Sequence, residues 1–453
     1  MNEKIYVKNL IRINGKAVML FAGICLTGLS VPAAGTPSFA RQTGLSCTAC
    51  HSVFPQLNSF GRLFKLNGYT LTTISTIDDK TANGKNRLKL LSIPDFAVMV
   101  QTSFSRLDKE LPGTQNNNVE LPQQMSLFLS SMITPRIGSF IQVTYDQQGA
   151  SFGMDNVDIR YANKTQLASK ELIYGFTLNN NPTVQDPWNS LPAWGFPYAS
   201  SPVAPGPLAS TVIEGALAQQ VAGLGAYGMF NSLVYGEFSL YRSAPQGAPD
   251  PPGGEANMII KGAAPYWRLA VQHQWPASYI EAGTYGLYTK MYPFGVSGLT
   301  DKYTDIGFDL QFEYSLSKAN LIFHSTWIHE IQELDASFGS EIAANRRDRL
   351  NSFKIDGSIF GNMGCGLTLG YYMISGTSDS MLYAPQSVDG SLSGKPDSNG
   401  FIMQFNYIPW YNVQFSVQYV INNKFNGARN NYDGSGRNSF DNNSLYLLTW
   451  LTF

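Results

Sequence analysis

The stretch KYTDIGFDLQFEYSL, residues 302–316, alternates with period two: Ile306, Phe308, Leu310, Phe312 and Tyr314 fall on one face, and Asp305, Asp309, Gln311 and Glu313 on the other. Successive side chains of a strand point to opposite sides, so this is a strand between an oily and a wet environment. A two-layer soluble sandwich and a membrane barrel both produce that pattern. A second case, residues 411–421, sets Val413, Phe415, Val417, Tyr419 and Ile421 against Asn412, Gln414, Ser416 and Gln418.

Working outward, similar segments run from 95–107 to 443–453 and include 123–134, 154–163 and 212–230, about 16 in all. An even count suits a single-chain barrel with both ends on the periplasmic side. Connections alternate in length. Tight links at Thr134-Pro135, Asn231-Ser232, Ser317-Lys318 and Ile408-Pro409 read as periplasmic turns, and the long Gly/Pro/Ser-rich stretches 180–211, 243–261 and 377–399 as extracellular loops. The chain ends in Phe453 on the face of Leu447, Thr449 and Leu451, an aromatic terminus of the kind that outer-membrane barrel assembly uses. Charged residues are only 14% and aromatics 13%, which favours a chain with little salt-bridged surface. The expected fold is therefore all-β with a small α-helical N-terminal lobe: a transmembrane β-barrel of antiparallel strands over 95–453, preceded by a lobe over 36–94.

Residues 1–35 read as an export signal. Lys4, Lys8, Arg12 and Lys16 precede the apolar run 17–31, and small residues follow, with cleavage expected after Ala33, Gly35 or Ala40; Cys25 would leave with it. Removing those four cations and Glu3 takes the net charge from -1 to about -4, which leaves no basic surface suited to nucleic acid.

Within the lobe stands Cys47-Thr48-Ala49-Cys50-His51. Two thiols three positions apart followed at once by an imidazole is the attachment pattern of a c-type haem: two thioether bonds fix the porphyrin edge, and His51 reaches the iron as proximal ligand. A redox disulfide or half a zinc site leaves the adjacent histidine unexplained, and no second pair at zinc-ligand spacing exists. Residues 52–68 are expected as a helix with Pro55 in its first turn, Leu57, Phe60 and Phe64 on one apolar face, and Gly68 as its stop. Arg41, Arg62 and Lys65 are candidates for the haem propionates, against an ordinary role as core or solvated positions. Between Ser52 and Pro94 there is no methionine and no second histidine, so the sixth ligand comes from the barrel, a weaker donor such as Lys or Asn, water, or nothing. Some fifty residues are thin for a free-standing cytochrome, which puts the lobe inside or against the barrel mouth.

Other residues weigh less. His273 shares the face of Leu269, Val271 and Trp275 and should point to lipid; His324 and His329, five apart, face opposite ways. Met99, Met125, Met132 and Met154 lie on the first strands, nearest in sequence to the lobe; a methionine ligand among them would raise the haem potential, as a carrier filled by a weak reductant needs, though most are packing residues. Asp305, Asp309 and Glu313 would attract Fe2+ by charge, as carboxylates do in any porin lumen. Cys365 is assigned no role, and no hydrolase triad or nucleotide-binding glycine motif is present.

The run Pro37-Ser38-Phe39-Ala40-Arg41-Gln42-Thr43-Gly44, the haem motif, Phe60-Gly61-Arg62 and Phe64-Lys65-Leu66-Asn67-Gly68-Tyr69 resemble the fused monohaem cytochrome-porins of iron-oxidising bacteria. So do 179–188, NNNPTVQDPW, and 192–197, PAWGFP. The resemblance implies an outer-membrane protein with one haem c on Cys47, Cys50 and His51, taking electrons from extracellular Fe(II) and passing them to a periplasmic c-type cytochrome or other periplasmic carrier. Two further readings stay open: a solute-conducting porin whose haem lobe is a plug or sensor, and a peroxidase or gas-binding site if the iron is five-coordinate.

Overall fold

The computed structural model describes residues 37–92, 95–243, 259–293, 297–361 and 364–453. The signal segment, Cys25 and the cleavage positions lie outside the described residues. The barrel staves are β1 (Ala97–Leu107), β2 (Asn118–Phe128, continued by Ser131–Thr134), β3 (Ile137–Asp146), β4 (Ser151–Leu167), β5 (Lys170–Asn179), β6 (Val221–Phe230), β7 (Val234–Ser243) and β8 (Ala264–Gln274, preceded by Ile259–Ile260). They continue as β9 (Ser278–Tyr292), β10 (Asp301–Ser315), β11 (Ala319–Glu333), β12 (Arg347–Gly361), β13 (Cys365–Gly376), β14 (Ser398–Trp410), β15 (Val413–Lys424) and β16 (Ser444–Thr452). Every stave pairs antiparallel with the next, and β16 returns to β1 with Ser444 opposite Leu107 and Thr452 opposite Met99, which closes a sixteen-stave barrel. Closure leaves no unpaired edge, the condition for a sheet to cross lipid.

Alternation decides which way each side chain faces. In β10, Asp305, Asp309 and Gln311 are buried in the bore, while Ile306, Phe308 and Phe312 are exposed on the outer wall. The same outer surface carries Leu224, Phe238, Leu269, Trp327, Leu369 and Phe401. A polar interior behind an apolar exterior is the reverse of a soluble domain and rules out the sandwich.

Three expected boundaries move. The segment expected at 123–134 begins at Asn118 and is broken after Phe128; that expected at 154–163 extends over the whole of β4; and of 212–230 only Val221–Phe230 is a stave. Residues 212–214 instead form a 3-10 turn inside the bore. The turn expected at Ile408-Pro409 falls at Tyr411-Asn412, because Pro409 lies within β14.

Tight turns at 135–136, 168–169, 231–233, 275–277, 316–318 and 411–412 gather at one end of the barrel, together with its first stave start and its last residue. The connections 180–220, 377–397 and 425–443 leave from the other end. Loop 180–220 does not stay there. Its segment 183–191 is almost wholly buried, and Trp188 packs with Tyr235, Ala270 and Tyr279 inside the bore.

The lobe contains α1 (Pro37–Thr43), the hairpin His51–Leu57, α2 (Ser59–Leu66) and a hairpin spanning Thr76–Lys80 and Asn86–Leu91. It enters the bore from the tight-turn end. Tyr69 Oη donates to Asp158 of β4 at 2.8 Å, Tyr227 Oη of β6 donates to the Leu66 carbonyl at 2.8 Å, and the Gln42 Oε1 accepts the Met132 N–H at 2.9 Å. A Cβ at Gly138 of β3 would run into the Gly68 carbonyl, so only glycine lets lobe and wall approach there.

Candidate functional site

The expected helix over 52–68 is shorter than its apolar spacing suggested. Residues 51–57 turn back on themselves as a hairpin with Pro55 in its turn, and α2 begins only after Asn58. The cause is the cap: the Asn58 side chain accepts the N–H groups of Phe60 and Gly61, which fixes the first turn one residue later. The same asparagine holds the Cys-Thr-Ala-Cys-His turn. Its N–H donates to the Cys50 carbonyl at 2.9 Å and its Nδ2 to the Thr48 carbonyl at 3.2 Å. Cys47–Ala49 forms one 3-10 turn, closed by Cys50 N–H on the Cys47 carbonyl at 3.2 Å. A Cβ at Gly61 would collide with the Cys50 carbonyl, so the glycine admits α2 against the motif.

Cys47, Cys50 and His51 line one cavity of about 390 Å³, inside the roughly 300–1,000 Å³ of small-molecule and cofactor sites. The lobe contributes Phe39, Leu57 and Phe64; the wall contributes Met99, Phe128, Phe140 and Trp450; loop 180–220 adds Trp194 and Tyr198. Phe60 of the expected apolar face is turned away and 37% exposed. The His51 Nδ1 lies 3.2 Å from the Pro55 carbonyl. That contact sets the proton on Nδ1 and leaves Nε2 as the free lone pair. Burial pushes the imidazole pKa down to about 4, against the smaller upward effect of the Pro55 and Gln56 backbone, so the ring is neutral as a metal ligand must be. Burial, with Cys47 nearby, pushes the Cys50 thiol up to about 11. Two sulfurs three residues apart, a neutral imidazole and an aromatic wall in one enclosure fit a covalently attached haem.

The three basic residues expected at the propionates have other partners. The Arg41 guanidinium donates to the Phe96 carbonyl at 2.7 Å, and Arg62 pairs with Glu313 and lies 3.8 Å over the Tyr279 ring; neither lines the cavity. Lys65 does line it, but its Nζ donates to the carbonyls of Val184 at 2.7 Å and Asp186 at 2.9 Å. These cations pin the lobe to wall and loop. The lumenal carboxylates serve the same end: Asp305 accepts the Ile213 N–H at 3.0 Å, Asp309 the Ser190 hydroxyl of the loop at 2.5 Å, and Glu313 pairs with Arg62, while Asp309 also pairs with Arg268 of β8 across the wall at 2.7 Å. Among the described residues no cluster of three or more His, Cys, Asp or Glu side chains is arranged to hold a metal ion.

His273 is exposed beside Trp275, ring centroids 4.3 Å apart, on the outer wall. His329 stacks with the exposed Trp327, whereas His324 faces the bore with Nδ1 3.2 Å from Asp356. His324 lies in a separate cavity of about 140 Å³, across the segment Asn189–Pro197 from the first. What sequence reasoning missed was that loop 180–220 folds inward. The missed signal was Asp186, whose carboxylate accepts the N–H groups of Trp188, Ser190 and Leu191 and pairs with the buried Arg268 at 3.2 Å.

A sheet closed on itself, oily outside and polar within, with tight turns at one end and long loops at the other, has one solvent arrangement. This is a porin-like barrel of the bacterial outer membrane. No known protein family matches the chain, and no curated protein does. Solved structures similar to it include OmpT of Vibrio cholerae (11% identity, TM-score 0.44, covering 80% of this chain and 99% of that one). The outer membrane channel DcaP of Acinetobacter baumannii is similar too (12%, 0.46, 79% and 96%), as is an anion-selective porin from Comamonas acidovorans (10%, 0.46, 79% and 98%). The membrane assignment rests on the barrel's own closure and surface.

Proposed function

We propose that the protein is a one-electron conduit through the outer membrane, carrying a single haem c on Cys47 and Cys50 with His51 as proximal ligand. The observation that carries this reading is the enclosure of all three residues in one aromatic cavity within a bore that lobe and loop together fill. A haem there supplies a metal that cycles between ferric and ferrous by one electron. Its donor would be extracellular Fe(II), each Fe2+ losing one electron to become Fe3+, and its acceptor would be a periplasmic c-type cytochrome or similar carrier that takes that electron at the tight-turn end.

The chain's own residues perform the rest. Asn58 and Gly61 hold the attachment turn against α2, and Pro55 orients His51. Phe128, Phe140, Trp194 and Trp450 give the cavity its aromatic wall. Donor access is by a series of cavities sharing wall residues: the His324 cavity borders one of about 340 Å³ along Ser200–Ser210, which borders one of about 590 Å³ between loops 110–116 and 387–389 at the long-loop end. The apolar band of such barrels is about 25 Å tall, so a small donor must enter partway to meet the haem.

Purified protein is expected to show a c-type absorption spectrum that becomes reduced on adding Fe2+. Haem that stays oxidised under excess Fe2+ removes the iron-conduit reading. A filled bore argues against solute passage as the main task, and steady high conductance of the intact protein in planar bilayers would restore it.

A further inference from the structure

We propose that Met99, which lines the same cavity as His51, supplies the sixth ligand of the haem iron. The inference rests on the haem reading above and names the residue that completes it. Alternation along β1 turns Ala97, Met99 and Gln101 into the bore, and Met99 is 3% exposed in the wall of the cavity that holds Cys47, Cys50 and His51. The Gln101 Nε2 lies 4.0 Å from its Sδ, which puts the thioether beside the cavity's amides.

The other donors along that wall have partners or the wrong chemistry. The Lys65 Nζ is drawn to the Val184 and Asp186 carbonyls and lies 4.6 Å from the centre of the Trp194 ring, and the Asn189 Oδ1 accepts the Leu57 N–H at 2.9 Å. Asp155 accepts from Thr144 and from Gln219. Gln101, Gln124 and Gln142 offer only amide groups, whose neutral oxygens are weaker ligands for haem iron than a soft thioether. No histidine besides His51 lines the cavity: His324 is held by Asp356 in the adjoining one, and His273 and His329 are on the outer wall. Of the other methionines on the first staves, Met125 and Met154 are 39% and 48% exposed, and Met132 is buried outside this cavity.

One aromatic wall spans both ligands. Met99 packs with Phe128, Tyr446, Leu448 and Trp450; Trp450 meets Phe54 edge-on at 5.1 Å, and Phe54 meets His51 at 5.5 Å. A thioether favours the ferrous state and raises the potential, which suits a carrier filled by a weak reductant.

The test is optical and magnetic spectroscopy of the full-length protein. The ferric wild type should show the sulfur-to-iron charge-transfer band of His/Met ligation, and the ferrous form should take up carbon monoxide slowly. Met99→Leu, which keeps the apolar volume, should abolish the band and speed carbon monoxide binding at least tenfold; Met99→His should restore a low-spin spectrum with a lower midpoint potential. A haem-bearing wild type without the band, or a band that persists in Met99→Leu, overturns the assignment and leaves the haem reading standing. Mass spectrometry finding no covalent haem overturns both. If Met99→Leu fails to assemble, a wild type without the band still overturns the assignment, and loss of the band in Met99→His with its lower potential carries the positive test.

Discussion

Lys65 is the residue whose charge sits least comfortably in the fold. Burial, and Arg160 nearby, push its pKa from an ordinary 10.5 down to about 7, outweighing Asp158, Asp186 and Glu237. Its two hydrogen bonds to the Val184 and Asp186 carbonyls need only two N–H donors, which the neutral amine retains. The sign follows from proton binding: between about 7 and 10.5 the unfolded chain holds a proton that the folded one has released, so stability rises with pH through that window. It is fully present above 10.5 and lost as pH falls through about 7. Thermal melts of the wild type should climb over this range, and Lys65→Met should flatten that part of the profile. An identical slope in the variant would show that another group titrates.

At the scale of elements, loop 180–220 and the lobe interlock. The loop is held by three carboxylates of two staves: Glu330 of β11 accepts the Val212 N–H at 2.6 Å, Asp305 of β10 the Ile213 N–H, and Asp309 of β10 the Ser190 hydroxyl. Breaking a buried charged contact of this kind costs about 3 kcal/mol when one partner is left behind, so the loop should not leave the bore spontaneously. Replacing 189–211 by a short Gly/Ser linker removes Trp194, Tyr198 and the wall between the two cavities. Single-channel conductance in planar bilayers should then rise by about tenfold or more over the intact protein, as in wide barrels with an aqueous lumen. Unchanged conductance would mean that the lobe alone closes the bore.

Taken whole, the molecule has a direction. Tight turns, the barrel's last residue and the lobe share one end, and the long loops share the other. An epitope tag inserted at 386–389 should be reached by antibody on intact cells, whereas one at 82–84, in the exposed hairpin of the lobe, should be reached only after the outer membrane is opened. The reverse labelling would invert the barrel and with it the direction of the proposed electron flow.

Strand alternation, the even strand count and the alternating loop lengths pointed to the barrel, and closure with a polar bore behind an apolar outer face decided it against a soluble sandwich. The spacing of Cys47, Cys50 and His51 was local, since the proposed covalent attachment needs only a single turn of chain. The capping of α2 was less legible: Leu57, Phe60 and Phe64 have helical spacing, yet Asn58 starts the helix after the first of them and turns Phe60 away. Only the tertiary structure decided that an apparent surface loop fills the lumen, that Arg62 and Lys65 fasten lobe to wall and loop, and that Met99 shares a cavity with His51. Those facts depend on residues 48 to more than 200 positions apart meeting inside a closed sheet, and such meetings are fixed by closure and packing.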